Sequence, residues 1–168
     1  MNYILLFLIL SSANSAVTSM EFNGVTVCNS NSFSCEEGWI EAGGKCLQIS
    51  DHTADFYHAA VTCQLLGGKL TEPETEEESN ELIKLVNDYD TEPIDDQRFW
   101  LGIIDESDEI AFVYLSSGQN ITFSSWYTNQ PDNYQADEDC VELRMPWNEQ
   151  WNDHDCHVYK RFICEYVF

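Results

Sequence analysis

The hydrophobic positions fall into stretches of distinct period. From Thr53 to Leu66, Phe56, Ala59, Ala60, Cys63 and Leu66 recur at about 3.6-residue spacing, which predicts an amphipathic helix. Thr53 or Asp55 is placed to cap its start, and Gly67-Gly68 stops it. A second helix is predicted from about Glu74 to Val86, with Leu82, Leu85 and Val86 pointing inward. Glu74, Glu76, Glu77 and Glu78 load its first turns, where negative charge suits the helix dipole; they read as a solvated face. Phe99-Trp100-Leu101-Gly102-Ile103-Ile104 shows no alternation and predicts a strand buried on both sides. Ala111 to Leu115, Cys140 to Leu143 and Phe162 to Tyr166 read as further strands. Cys46-Leu47-Gln48-Ile49 reads as the return strand of a hairpin turning at Gly43-Gly44. Residues 17–34 have no clear period and are expected to form a short tail carrying Cys28. There is no internal repeat, collagen triplet or heptad.

The first residues change the compartment. Ile4 to Leu10 is a short apolar run followed by Ser11-Ser12-Ala13-Asn14-Ser15-Ala16, which is expected to be a secretory signal over 1–16. The run is too short to span a bilayer, so a secreted, extracellular product is expected. In that setting the seven cysteines read as a disulfide framework with one left over. Thiolate metal ligation is disfavoured because no C-x-x-C pair occurs. The 168 residues suit one domain, placed at 35–168.

Charge narrows the partners. The formal net charge of −23 repels nucleic acid, anionic membranes and polyanionic glycans, and it concentrates cations at the surface. A hydrophobic fraction of 43% argues for a packed core despite that acidity.

One region concentrates oxygen donors. Gln130-Pro131-Asp132, Glu138-Asp139-Cys140 and Trp151-Asn152-Asp153 place Gln130, Asp132, Glu138, Asn152 and Asp153 around one proline. These side chains offer carboxylate and amide oxygens only. Calcium takes about six to eight such oxygens in flexible geometry, whereas zinc prefers thiolate or imidazole. An enzyme reading has less to stand on. His154, Asp155 and His157 lie close together in sequence, but they lack a third ligand at zinc-site spacing, and no nucleophile motif occurs. Asn120-Ile121-Thr122 is a sequon, making Asn120 the expected glycosylation site.

Taken in series, these marks resemble the C-type lectin domain. Cys35-x-x-Gly38-Trp39, the helical Cys63, Trp100-Leu101-Gly102, Gln130-Pro131-Asp132, Glu138-Asp139-Cys140, Trp151-Asn152-Asp153, Cys156 and Phe162-Ile163-Cys164-Glu165 follow the family order over about Cys35 to Tyr166. The resemblance implies an α+β fold, with two helices flanking small antiparallel sheets and a long irregular loop region that carries the site. It implies the bridges Cys35–Cys46, Cys63–Cys164 and Cys140–Cys156. Cys28 is then left over, to be explained by an interchain bridge in a homodimer, a free thiol or a small-molecule cap. It implies a cis bond before Pro131, and a calcium ion on Gln130, Asp132, Glu138, Asn152 and Asp153, with the backbone carbonyl of Asp153 also available. An auxiliary ion is suggested on Asp105, Glu109, Asn133, Glu138 and Asp139, weakened because Asn133 brings no charge.

The same resemblance suggests a ligand. Gln-Pro-Asp order resembles galactose-type binders, so galactose or N-acetylgalactosamine on glycoproteins or cell surfaces is expected, with Tyr134 or Trp147 stacking on the sugar's apolar face. The competing expectation is a secreted module of this fold that binds a protein or another surface without sugar.

Overall fold

The structure, a computed structural model, describes residues 19–22, 25–28, 34–89, 97–106 and 111–167. The expected signal segment and Glu109 lie outside these. The chain divides into two units, Met1–Ser34 and Cys35–Phe168.

In the first unit, β1 (Ser19–Phe22) and β2 (Val25–Cys28) pair antiparallel, with Ser19 opposite Cys28 and Phe22 opposite Val25. The stretch expected to be a short tail thus holds two paired strands. The β-forming residues Phe22, Val25 and Val27 flank Asn23-Gly24, a dipeptide that favours tight hairpins. Strands this short give too few positions for a period to stand out. The side chain of Cys28 lies outside the described residues.

The second unit opens with β3 (Ile40–Ala42) and β4 (Lys45–Ile49), joined through Gly43 and Gly44 at φ of 60° and 73°. α1 (Phe56–Leu65) starts at Asp55, whose carboxylate accepts a hydrogen bond from the His58 amide at 2.9 Å. After β5 (Lys69–Leu70) comes α2 (Glu76–Tyr89). The remaining strands are β6 (Arg98–Asp105), β7 (Phe112–Tyr114), β8 (Cys140–Arg144), β9 (Gln150–His154) and β10 (Arg161–Val167).

The main sheet runs β3-β4-β10-β6-β8-β9, with β5 on β10 and β7 on β6. The expected antiparallel sheets are joined by one parallel pairing. The first residues of β10 lie parallel to β6, while Ile163 to Val167 run antiparallel to β4. β10 thus belongs to both halves.

β6 explains its unbroken apolar sequence. Phe99, Leu101 and Ile103 enter one core with Leu82, Val86 and Trp151, whereas Trp100 enters a second with Phe56, Ala59 and Phe162. Successive strand residues point to opposite faces, so two covered faces need two apolar sets. Gly102 permits the close pass of β5: a Cβ there would come within 2.8 Å of the Leu70 carbonyl oxygen.

Three disulfides, Cys35–Cys46, Cys63–Cys164 and Cys140–Cys156, pin the hairpin, α1 and the β8–β9 region respectively. A buried polar network ties β4, β5, α2 and β10. Lys45 Nζ lies 3.0 Å from Glu78 and 3.4 Å from Glu165, while Lys69 pairs with Glu72 and Glu165. Glu165 is 1% exposed and also accepts from the Thr71 hydroxyl at 2.7 Å, so its buried charge is compensated from several sides.

Candidate metal and ligand site

The site forms where one irregular loop folds back onto β8 and β9. These strands pair with Val141 opposite Asp153 and Glu142 opposite Asn152. The loop above carries a cis Gln130–Pro131 bond, as the resemblance implied. Asn129, Asn133, Gln135 and Ala136 then take left-handed backbone angles, with φ of 71°, 39°, 63° and 55°. Such angles are unfavourable for side-chain-bearing residues, so neighbouring contacts must hold the loop.

Those contacts come from the candidate ligands themselves. Asp153 accepts from the amides of Asp132 at 3.2 Å and Asn133 at 2.7 Å. Glu138 accepts from the Tyr134 amide at 2.8 Å, and its own amide donates to Asn133 Oδ1 at 3.1 Å. Asp132, Glu138 and Asp153 each offer a carboxylate oxygen within 4.8 Å of the others. Glu138 and Asp153 are therefore braced by backbone N–H groups where the three acids come together.

Crowding shows in their protonation. Burial, together with the nearby Asp153 and Asp132, pushes the Glu138 carboxyl up to about 7 despite the Tyr134 amide. Burial also raises Asp153, against the opposing pull of the Asn133 and Asp132 amides. Gln130 contributes a buried Oε1 with no hydrogen-bond partner. An orphaned amide oxygen beside clustered carboxylates fits a hard cation, which would satisfy the amide and relieve the repulsion.

Asn152 is 5% exposed, and both hydrogen bonds of its side chain run through Nδ2, to Glu142 Oε1 at 2.9 Å and to the Asp153 carbonyl at 2.5 Å. Glu142 has no role that the sequence alone suggests; here it is fully buried and faces Lys160 Nζ at 2.8 Å. The approach is off the hydrogen-bond direction, so the contact is an ion pair more than a directed bond. Residues 142 and 152 share a face only once the β8–β9 register is known, so the signal in the sequence is slight.

The other expected residues scatter. Tyr134 stands at the loop rim, 64% exposed and open to a ligand. The Trp147 side chain lies outside the described residues, as does Glu109. Asp105 and Asp139 meet through backbone, with the Asp105 amide donating to the Asp139 carbonyl at 2.8 Å. Among the described residues they are not part of the clustered carboxylate group. Asn120 is exposed after Gly118. His154 is half-buried while His157 is exposed, and among the described residues neither belongs to a group able to hold a metal.

Comparison with known proteins follows the same lines. The sequence model described as "Lectin C-type domain" matches residues 52–166. Collectin-11 of Bos taurus is 37% identical over 111 residues, covering 66% of this chain and 39% of that protein. The versican core protein of Homo sapiens is 30% identical over 129 residues, covering 76% of this chain and 4% of its own length. The chain thus spans well under half of these curated relatives. Among solved structures, the human scavenger receptor C-type lectin carbohydrate-recognition domain superposes with a TM-score of 0.70 at 27% identity, covering 80% of this chain and all of that one. The lectin CEL-I of Cucumaria echinata shares the fold, with a TM-score of 0.69 at 20% identity over 79% of this chain and 97% of that one. No enzyme family is indicated by the matched domain model. The chain belongs to the C-type lectin domain family.

Proposed function

We propose that this chain is a calcium-dependent carbohydrate-binding module that favours galactose or N-acetylgalactosamine. The observation that carries the reading is the convergence of Asp132, Glu138 and Asp153 beside the cis Gln130–Pro131 bond. Calcium would be held by these three with Gln130 and Asn152. It would offer open coordination positions to two neighbouring sugar hydroxyls. The chain's own part is to accept the hydroxyl protons on carboxylates and to donate the Gln130 amide N–H to a hydroxyl lone pair. The order of amide and acid, Gln130 before Asp132, favours galactose-type hydroxyl geometry, with Tyr134 as the stacking ring. Sugar binding by relatives supports the reading: a 25% identical solved neighbour with a TM-score of 0.67 is described as an SPL-1–GlcNAc complex. The reading includes secretion after removal of residues 1–16, a glycan on Asn120, an interchain bridge through Cys28 and an auxiliary ion near Asp105, Asn133 and Asp139.

Calorimetric titration of galactose and mannose, with calcium and then with chelator, tests it. Heat with galactose alone, dependent on calcium, is expected. Preference for mannose would retain the lectin and overturn the selectivity. Heat with neither sugar would overturn the carbohydrate reading and leave a module that binds protein or another surface.

Acidification should release the ion. A proton held on Glu138 up to about pH 7 competes with calcium. Apparent calcium affinity is therefore expected to fall by up to about tenfold per pH unit below that point, for one competing proton. The metal-free protein moves the other way. Glu138 has a folded pKa above its ordinary 4.5, so the folded state binds more protons between 4.5 and about 7. This group opposes folding above about pH 7, and the penalty is relieved as the pH falls through that window. Calcium titrations and thermal melts at pH 7.5 and 5.5, with and without the ion, check both signs. Calcium affinity that is flat across this range would remove Glu138 from the ligand set.

A further inference from the structure

Beneath the site lies a buried charge pair that the ligand set does not use. Trp100, Glu142 and Asn152 are cross-strand neighbours in one row over β6, β8 and β9. Lys160 enters from the segment before β10, held by reciprocal backbone bonds to Ala54 at 2.9 Å. Its ammonium sits 4.7 Å over the Trp100 ring and 2.8 Å from Glu142 Oε2. Glu142 is 0% exposed and Lys160 3%. A buried ion pair adds little net stability over an apolar pair of equal volume, so its retention under a ligand site asks for another account.

Hydrogen-bond polarity supplies one. An ammonium only donates, and an ionised carboxylate only accepts. Lys160 therefore keeps Glu142 an obligate acceptor, and Glu142 can meet Asn152 only through Nδ2, as the 2.9 Å bond to Oε1 shows. The amide is left with Oδ1 as its uncommitted end. We infer that Lys160 and Glu142 are positioning residues that fix the orientation of the Asn152 amide so that its oxygen, not its nitrogen, is presented to the cation. The inference rests on the calcium reading above. It assigns no contact with ion or sugar to Glu142 or Lys160; both act through Asn152.

A neutral Glu142→Gln inverts the relay. The amide introduced by that substitution would turn its oxygen to Lys160 and its NH2 to Asn152, and Asn152 would answer with its own oxygen. The Asn152 nitrogen would then face the ion. An aspartate in place of Asn152 has an oxygen at either end and does not depend on that orientation.

The experiment measures calcium affinity, and the inner-sphere water count of bound Eu3+ by luminescence decay in H2O and D2O. It compares the unaltered chain with E142Q, N152D and E142Q/N152D. E142Q is expected to bind about 10- to 100-fold more weakly, the range seen when groups that orient metal ligands are removed. It is also expected to retain about one more water on Eu3+, in place of the lost amide oxygen. N152D should improve binding more in the E142Q background than in the unaltered chain, and the water should be lost again. E142M/K160M removes both charges together with the acceptor that holds Asn152 Nδ2, and keeps the test open if E142Q folds poorly; weakened binding with the extra water is expected there too. Unaltered affinity and hydration in E142Q or in E142M/K160M, or a gain from N152D equal in both backgrounds, would overturn the inference while calcium binding stands. An unaltered chain that binds neither Ca2+ nor Eu3+ would instead overturn the calcium reading, and this inference with it.

Discussion

Asp153→Ala is expected to abolish the proposed calcium binding, and sugar binding with it, while the domain remains folded. Asp153 has two tasks in the site. Its carboxylate is one of the three clustered oxygens, and it also accepts the amides of Asp132 and Asn133 at 3.2 and 2.7 Å. Removing it would delete one proposed ligand and free the loop that carries two more. The loss should exceed the roughly 10- to 100-fold typical of groups that merely orient ligands. Asp153→Asn separates the parts, because it keeps the shape and one oxygen but removes the charge; it should fall between the two. Stability of the metal-free protein behaves differently. Asp153 is one cause of the raised Glu138 pKa, so its removal relieves repulsion between like charges. The measurement is a calcium titration paired with a thermal melt in chelator. Retained calcium binding in Asp153→Ala would remove this residue from the site.

Cys63→Ser with Cys164→Ser is expected to cost about 4–5 kcal/mol of stability, on a chain-entropy estimate for a loop of this length. The bridge joins α1 to β10 across 101 positions, and both cysteines are buried, at 0% and 1% exposure. β10 pairs with β4, β5 and β6, so loosening its tie to α1 reaches every part of the sheet. Removing Cys140–Cys156, with a separation of 16, should cost less, about 3 kcal/mol on the same estimate. Its effect should appear in calcium affinity, because it clamps the start of β8 near the end of β9. Urea denaturation of the two paired variants, with calcium titration on each, checks the ranking. A smaller loss for Cys63–Cys164 than for Cys140–Cys156 would mean that the entropy of the long loop is not what the first bridge supplies.

Elements with a strong period or a long apolar run could be read from the residues. The α1 stripe of Phe56, Ala59 and Cys63 is buried, and β6 is covered on both faces. The candidate loop residues could be named because oxygen-bearing side chains crowd around one proline. What escaped depends on register and pairing. The parallel contact of Arg161 and Phe162 with β6 has no local signature, because pairing is set by which surfaces must be covered. The β1–β2 hairpin is too short for alternation to register. Glu142 reads as an ordinary strand residue until it is placed opposite Asn152, and only then does its charge acquire a partner in Lys160.

Three of the seven cations of this chain are turned inward. Lys45, Lys160 and Arg144 are side chains with 15%, 2% and 14% exposure, engaged with buried glutamates. With 7 basic against 30 acidic residues in all, the chain is strongly anionic. At physiological salt its field reaches about 8 Å before counterions screen it. A cell coat rich in sialic acid or sulfate would meet that field before any terminal sugar reached the loop. Under the proposed function, the molecule is thus suited to uncapped, neutral glycan ends, and added salt should widen the range of surfaces it can touch.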